Sequence, residues 1–181
     1  PNLSFLLPTM TRARLLQPDL VLGKTIVDLS VTILDRHQLR GLVLDVDETL
    51  VPFKGNAVSM ELRQWIGQVR HRMPIWLVSN NFSESRIGGI AQDLDLPFLF
   101  GAAKPSRRKL RQAIAEMQLP VASVAMVGDR LFTDVLAGNR LGMFTVLVEP
   151  MVLPGQMPHP WSIRNIEVWI SQRLGVTLNH L

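Results

Sequence analysis

Two carboxylates spaced two residues apart, Asp45 and Asp47, directly follow the apolar run at residues 41–44. The apolar run predicts a buried strand, so both carboxylates stand where that strand ends. Burying a carboxylate is unfavourable unless a cation, a proton or several hydrogen bonds compensate for the lost water. The pair therefore predicts a metal site or acid/base chemistry at the end of a central strand, although many surface turns also contain Asp-x-Asp.

Further polar motifs stand at or just beyond apolar runs in the rest of the chain. In order they are Ser79-Asn80-Asn81, Lys104-Pro105, and Gly128-Asp129 with Asp134 close behind. Taken alone, Ser79 would more often be a helix cap, and Lys104 would more often be a solvated surface charge. Because they follow Asp45 in this order, we interpret them as parts of one site.

Apolar periodicity predicts alternating strands and helices between residues 41 and 149. Strands are predicted at 41–44, 74–78, 98–100, 123–127 and 143–148, and helices behind Ser59, Ser83 and Pro105-Ser106. Near-continuous apolar strands separated by amphipathic helices are typical of a parallel sheet covered on both faces. We therefore predict a doubly wound α/β fold, whose ligands bind at the carboxyl ends of the strands.

The length of the chain favours a single domain. Its 181 residues suffice for one well-buried core and are too few for two ordinary domains. We divide this domain into an N-terminal segment (1–40), a catalytic core (41–149) and a C-terminal loop and helix (150–181). No stretch approaches the roughly 18 apolar residues that a membrane-spanning helix needs, and no signal peptide is recognisable.

Segment 1–40 is rich in apolar residues and departs from the alternation of the core. It is either a strap packed on the sheet edge or an interfacial segment on an anionic membrane, where Arg12, Arg14 and Lys24 would meet the headgroups. The chain has no cysteine, which excludes disulfides and thiolate metal sites and fits a reducing compartment. We expect a cytoplasmic protein, either free or peripheral at the membrane.

The net charge of +4 favours anionic partners: a phosphorylated substrate, nucleic acid or an acidic lipid surface. Among these we expect no nucleic acid, and the oligomeric state is left open. The one basic cluster consists of Arg107, Arg108, Lys109 and Arg111. This cluster either faces substrate or lipid beside the site or is a solvated helix face, and the same alternatives hold for Arg86.

Together, the motifs resemble those of the haloacid dehalogenase (HAD) superfamily of phosphohydrolases. The resemblance is most detailed for the YqeG-type proteins of subfamily IIIA, which are related to phosphatidylglycerophosphate phosphatases, and it extends roughly over residues 5–150. It includes an N-terminal Leu-Pro segment, Gly-Leu-Val-Leu-Asp-Val-Asp-Glu-Thr-Leu-Val, Val-Ser-Asn-Asn, Ala-Lys-Pro and Gly-Asp-Arg-Leu-Phe-Thr-Asp-Val-Leu-Ala-Gly-Asn. Glu48 is a departure, because many YqeG-type proteins are expected to have Asn there.

The resemblance implies covalent catalysis by two aspartates with a magnesium ion. Asp45 is the expected nucleophile that forms an aspartyl-phosphate, and Asp47 is the expected general acid and then base. The implied Mg²⁺ ligands are Asp45, Asp129 and the backbone carbonyl of Asp47. Asp134 would orient a metal-bound water or a lysine, or would instead be a carboxylate favoured at a helix N-terminus.

The same resemblance assigns supporting roles to other residues. Ser79, Asn80 and Lys104 are expected to bind the phosphate as charge develops on its oxygens. Thr49 is expected to close the turn behind the nucleophile.

The short gaps between the motifs predict a protein without a cap domain. Only 28 residues separate Leu50 from Ser79, and 24 separate Ser79 from Lys104. An open site admits bulky or surface-bound substrates, so the resemblance makes phosphatidylglycerophosphate the expected substrate of a magnesium-dependent phosphomonoesterase.

Other functions remain open at this point. A soluble nucleotide or sugar phosphate is the alternative substrate. Outside enzymes, the alternatives are a receiver domain, which Asp47 fits poorly, and a catalytically silent HAD-fold binding module.

Overall fold

Six strands form one sheet in which every neighbouring pair is parallel. The computed structural model describes residues 12–52, 55, 57–151, 167–168, 172 and 175–178. The strands are β1 (Leu20–Val21), β2 (Gly41–Leu44), β3 (Ile75–Val78), β4 (Phe98–Leu99), β5 (Val124–Gly128) and β6 (Phe144–Leu147). They lie in the order β1-β6-β5-β2-β3-β4.

Helices connect most of the strands. They are α1 (Arg12–Leu15), α2 (Val31–Arg36), α3 (Met60–Arg70), α4 (Glu84–Leu94), α5 (Arg108–Met117) and α6 (Leu136–Leu141). Short 3-10 turns cover Ile26–Asp28 and Val121–Ser123, and a π-helical turn at Leu131–Val135 leads directly into α6. Among the described residues, no helix has the length and apolarity that a bilayer crossing requires.

The serines that predicted two of these helices act as their N-terminal caps. The hydroxyl of Ser59 accepts the backbone N–H of Leu62 at 3.1 Å, and that of Ser83 accepts the N–H of Arg86 at 3.3 Å. Each cap satisfies a backbone donor that the helix itself cannot, and is worth about 1 kcal/mol.

Successive residues of β2 pack against different helices. Leu42 and Leu44 share a buried cluster with side chains of α3 and α4, whereas Val43 belongs to a cluster with α5 and Ala137 of α6. Since neighbouring side chains of a strand point to opposite faces, helices cover the sheet on both sides. The predicted doubly wound α/β fold is confirmed.

The described part of segment 1–40 packs on the sheet edge. Strand β1 pairs with β6, and the Asp19 carboxylate accepts hydrogen bonds from the backbone N–H and the hydroxyl of Thr145 at 2.8 and 3.0 Å. Its buried apolar side chains include Leu16, Leu20, Val21, Leu22, Ile26, Leu29 and Leu34, and the half-buried Val27, Val31 and Ile33 pack against the same core. The strap alternative therefore holds for these residues, and the apolar residues at 3–7 lie outside the described ones.

In each gap between the motifs, the residues that the structure describes form one helix and one strand. Helix α3 and β3 lie between Asp47 and Ser79, and α4 and β4 lie between Ser79 and Lys104. The described residues of these gaps include no inserted domain, as the gap lengths predict.

Most of the predicted C-terminal loop and helix, 150–181, lies outside the described residues. Glu167 and Val168 are helical. Further along, Thr177 exchanges two hydrogen bonds with the Gln17 side chain, at 2.6 and 2.9 Å. The described part of this segment thus reaches the N-terminal strap.

Candidate active site

The carboxyl ends of the three central strands bring the sequence motifs together. Asp45 follows β2, Ser79 follows β3 and Asp129 follows β5. At this edge Asp45 and the residues that follow Ser79 and Asp129 line an open pocket of about 230 Å³. The described residues that line it are Asp45, Asp47, Glu48, Asn80, Asn81, Arg130 and Thr133.

Lys104 connects the motifs by an ion pair with the first carboxylate. Its Nζ lies 2.6 Å from Asp45 Oδ1, 2.7 Å from Asp134 Oδ1 and 2.9 Å from the carbonyl oxygen of Val78. Only 1% of the lysine side chain is exposed. Burial alone would lower the pKa of Lys104, but the carboxylates of Asp134 and Asp45 raise it overall. The lysine therefore stays protonated, with hydrogen bonds to Asp45 and Val78 and an ion pair with Asp134.

Three buried carboxylates form a compact cluster beside the pocket. One oxygen each from Asp45, Asp129 and Asp134 lies within 4.8 Å of the other two. Burial raises the pKa of Asp45 to about 7, although Lys104 lowers it. Burial, followed by the charges of Asp134 and Asp45, raises the pKa of Asp129 well above its ordinary value. A hard divalent cation prefers such an all-oxygen donor set and would relieve this repulsion, so the residues fit one.

Within this cluster, Asp134 is already engaged on both oxygens. Oδ1 pairs with Lys104, and Oδ2 accepts the backbone N–H of Arg130 at 3.2 Å. A Cβ at residue 128 would lie 2.3 Å from Asp134 Oδ2, so the glycine there permits this close approach. Asp134 therefore suits orienting the lysine, and Asp129, whose Oδ1 accepts the hydroxyl of Thr49 at 3.2 Å, suits direct metal binding.

Asp47 is held from two sides. Asn81 donates its side-chain N–H to Oδ2 at 3.1 Å, and Arg86 Nη1 donates to Oδ1. Arg86 Nη2 also donates to the carbonyl oxygen of Gly55 at 3.0 Å. The arginine side chain is 16% exposed and that of Asp47 17%, so Arg86 is not on a solvated helix face.

The two other expected phosphate ligands also have partners inside the site. Ser79 is buried, and its hydroxyl accepts the backbone N–H of Asn81 at 3.0 Å. The amide of Asn80 accepts from the backbone N–H of Lys104 at 2.7 Å and donates to its carbonyl oxygen at 3.2 Å. In this geometry Asn80 positions the lysine, a contact that its place after a strand did not predict.

The described residues that line the pocket include none of the predicted basic cluster. Arg107 donates to the carbonyl oxygen of Arg140 at 3.0 Å, and Lys109 donates to the carbonyl oxygen of Phe100 and lies 4.8 Å from the centre of its ring. Arg108 is exposed. A substrate- or lipid-facing role for Arg107 and Arg108 stays a prediction.

Glu48 occupies a left-handed backbone conformation, with φ of +63°. Asn tolerates this region better than other non-glycine residues, because its short side chain can hydrogen-bond locally. This explains why Asn is expected at the position. The carboxylate of Glu48 also adds to the negative charge that raises the pKa of Asp129.

Sequence patterns gave no sign of a contribution from the C-terminal segment. Glu167 Oε1 accepts hydrogen bonds from Arg130 Nε at 3.1 Å and Nη2 at 2.5 Å, and Oε2 accepts the backbone N–H of Leu131 at 3.1 Å. The pair is separated by 37 residues, so no local pattern relates them.

The raised carboxylate pKa values predict how pH affects the stability of the metal-free protein. Between its ordinary pKa of 3.8 and about 7, Asp45 binds a proton in the folded state and not in the unfolded one. Its contribution to stability is therefore complete below pH 3.8 and is lost as the pH rises through about 7. Mg²⁺ binds the deprotonated carboxylates, so the rise in Tm on adding Mg²⁺ should be larger at about pH 8 than at about pH 5.

Thermal unfolding with chelator or with Mg²⁺ across this pH range checks that expectation. Asp45→Asn, which removes the titrating group, is the matched variant and should show a smaller dependence on pH. An equal effect of Mg²⁺ on Tm at both ends of the range would contradict the assignment.

Comparison with known proteins places this geometry among phosphatases. Residues 101–150 match the HAD-hydrolase-like family model. The probable phosphatase YqeG of Bacillus subtilis is 33% identical over 129 residues, which are 71% of this chain and 74% of that protein. The chloroplastic/mitochondrial phosphatidylglycerophosphate phosphatase 1 of Arabidopsis thaliana is 25% identical over 143 residues, which are 74% of this chain and 40% of that protein.

A solved structure agrees on the fold. A HAD-like phosphatase from Mesorhizobium loti superposes with a TM-score of 0.50 and 20% identity, covering 79% of this chain and 88% of that one. At this level of identity the likeness concerns the fold alone.

Proposed function

Because this chain belongs to the HAD superfamily phosphatases of the YqeG type and is a phosphoric monoester hydrolase, we propose that it removes the terminal phosphate of phosphatidylglycerophosphate with Mg²⁺. The observation that carries the chemistry is the ion pair of Asp45 with Lys104 beside Asp129 and Asp134. Support for the lipid substrate comes from the Arabidopsis relative, whose name states that activity.

The proposed reaction consists of two displacements at phosphorus. Asp45 attacks the phosphorus atom as the bond to the leaving oxygen breaks, and Asp47 gives a proton to that oxygen. A water molecule then attacks the aspartyl-phosphate, Asp47 takes its proton, and inorganic phosphate leaves with Asp45 restored. This divides one difficult hydrolysis into two easier steps.

The remaining groups orient the reactants and offset charge. We propose that Asp45, Asp129 and the backbone carbonyl of Asp47 hold Mg²⁺, which when bound supplies positive charge to the phosphate. Lys104 keeps Asp45 oriented and, with Ser79, lies beside the phosphate oxygens. Asn80 holds the backbone of the lysine in place.

Two observations favour a soluble phosphomonoester as the second candidate substrate. Most described apolar residues of the N-terminal strap are buried, and the half-buried Val27, Val31 and Ile33 pack against the core, so the strap offers little apolar surface to lipid. Arg107 and Lys109 donate to carbonyl oxygens within the domain. Among the described residues, a peripheral membrane location would therefore depend on exposed side chains such as Arg108, Arg111 and Phe82.

A phosphate-release screen separates the candidates. Phosphatidylglycerophosphate in mixed micelles is compared with nucleotides, sugar phosphates and phosphopeptides, each with Mg²⁺ or with chelator. We expect the lipid to exceed every soluble substrate in kcat/KM and the activity to require the metal. A soluble substrate preferred by more than about tenfold, or about 1.4 kcal/mol, would replace the lipid.

The contacts of Asp47 predict how a variant at Arg86 responds to the leaving group. If the arginine positions Asp47 for proton transfer, Arg86→Gln should lower kcat/KM about tenfold or more for an alkyl phosphate, whose leaving oxygen needs a proton. An aryl phosphate with an acidic leaving group should lose much less. Steady-state kinetics on both substrates measure this difference.

Arg63→Gln is the matched control, because Arg63 pairs with Asp93 on the exposed side of α3. It should leave both rates unchanged. Equal losses on the two substrates in Arg86→Gln would show that the arginine supports the fold rather than the proton transfer.

A further inference from the structure

Arg130 is the one cation among the described residues that line the pocket. It directly follows Asp129, so the end of β5 places its side chain at the site. The other charged lining residues are the carboxylates of Asp45, Asp47 and Glu48. A second negative group on a bound substrate would therefore be repelled by these carboxylates, and Arg130 is the charged lining residue that could attract it.

Glu167 holds this arginine while leaving part of it available. Both contacts are made to Oε1 of Glu167, by Nε and Nη2 of the arginine. The glutamate is nearly buried, with 8% of its side chain exposed, whereas 29% of the Arg130 side chain is exposed. The guanidinium thus lies on the solvent side of the pair.

The donors of a guanidinium exceed what Glu167 uses. An arginine has five N–H donors in a fixed plane, and they match the oxygens of phosphate in pairs. In the described part of the chain, Nη1 of Arg130 has no acceptor. A preoriented guanidinium loses less rotational freedom on binding an anion than a free one would.

We propose that Arg130, oriented by Glu167, binds a second anionic group of the substrate at the mouth of the catalytic pocket. This proposal rests on the proposed phosphatase function and narrows its substrate class. The enzyme would select phosphomonoesters that carry another phosphate-type anion. That anion is either the diester phosphate of a glycerophospholipid headgroup or the second phosphate of a soluble bisphosphate.

Three water-soluble substrates test this selectivity without a membrane. They are glycerol 3-phosphate, which has one phosphate; the deacylated headgroup glycerophosphoglycerol phosphate, which adds a diester; and fructose 1,6-bisphosphate. The readout is the ratio of kcat/KM for each two-anion substrate to that for glycerol 3-phosphate. Calorimetry on Asp45→Asn protein measures the binding of the same compounds without turnover. It gives the ratio of the affinity for each two-anion compound to the affinity for glycerol 3-phosphate.

The variants distinguish anion binding from a merely structural ion pair. Arg130→Gln should lower the ratio about tenfold, the loss expected for one charge-assisted contact, and Arg130→Lys should restore part of it. Glu167→Gln keeps the arginine charge and loses only the orientation that the ion pair provides, so it should lower the ratio much less than Arg130→Gln does. Arg63→Gln should change nothing.

Two outcomes would overturn the proposal. An unchanged ratio in Arg130→Gln would mean that the arginine binds no second anion. Equal losses of kcat/KM on all three substrates in both Arg130→Gln and Glu167→Gln, with the ratio unchanged, would mean that the pair only anchors the C-terminal segment. If no compound is hydrolysed, the proposed function fails, and the calorimetric ratio still decides the role of Arg130. Which two-anion compound loses more in Arg130→Gln identifies the source of the anion.

Discussion

Replacing Asp45 by asparagine should reduce phosphate release by about 10⁴- to 10⁶-fold, the range of losses seen when members of a covalent catalytic unit are removed from other hydrolases. An amide cannot form the acyl-phosphate, and Asp134, the other described carboxylate that pairs with Lys104, is not among the residues that line the pocket. Phosphate release at saturating substrate and Mg²⁺ measures the loss.

The fold should survive this change. Because burial raises the pKa of Asp45, its charge destabilises the folded metal-free protein near neutral pH, and Asp45→Asn should raise Tm in chelator. Mass spectrometry must exclude deamidation back to aspartate. Retention of more than a few per cent of the wild-type rate would then rule out Asp45 as the nucleophile.

Removing Asp129 should be almost as damaging. As the proposed direct ligand, Asp129→Ala should lower kcat/KM about a thousandfold, and a higher Mg²⁺ concentration should not restore it. Asp134→Ala should lose about 10- to 100-fold, because Asp134 acts through Lys104 and the backbone of residue 130. Titrating activity against Mg²⁺ for both variants measures this contrast.

Gly128→Ala provides an independent check on Asp134. The added methyl group would clash with Asp134 Oδ2 without removing any charge. The Gly128→Ala variant should therefore lose about as much kcat/KM as Asp134→Ala does. If Asp134→Ala were instead the more severe variant and Asp129→Ala recovered with added Mg²⁺, the two roles would have to be exchanged.

The sheet and the convergence of the motifs could be predicted from sequence because both depend on local signals. Near-continuous apolar runs identified the buried strands, and the order of Asp45, Ser79 and Asp129 behind three of them placed these residues at one sheet edge. The capping serines at 59 and 83 similarly identified where α3 and α4 begin.

The elements that escaped prediction depend on tertiary contacts. Strand β1 has only two residues, too few to show a period, and it forms because β6 offers an edge. The ion pairs of Asp47 with Arg86 and of Arg130 with Glu167 join residues 39 and 37 positions apart, and no spacing rule connects them. For the same reason, the sequence could not distinguish Arg86 from a solvated residue on a helix surface.

The central claim, that Asp45 carries the phosphoryl group during turnover, can be tested most directly by trapping that intermediate. Wild-type protein is mixed with substrate and Mg²⁺, quenched in acid within a single turnover, digested and analysed by mass spectrometry. We expect one phosphoryl group on the peptide that contains Asp45, and none in Asp45→Asn or when chelator replaces Mg²⁺. Phosphate release at the full rate, with no phosphorylated peptide at any quench time or with the label on another residue, would contradict the account.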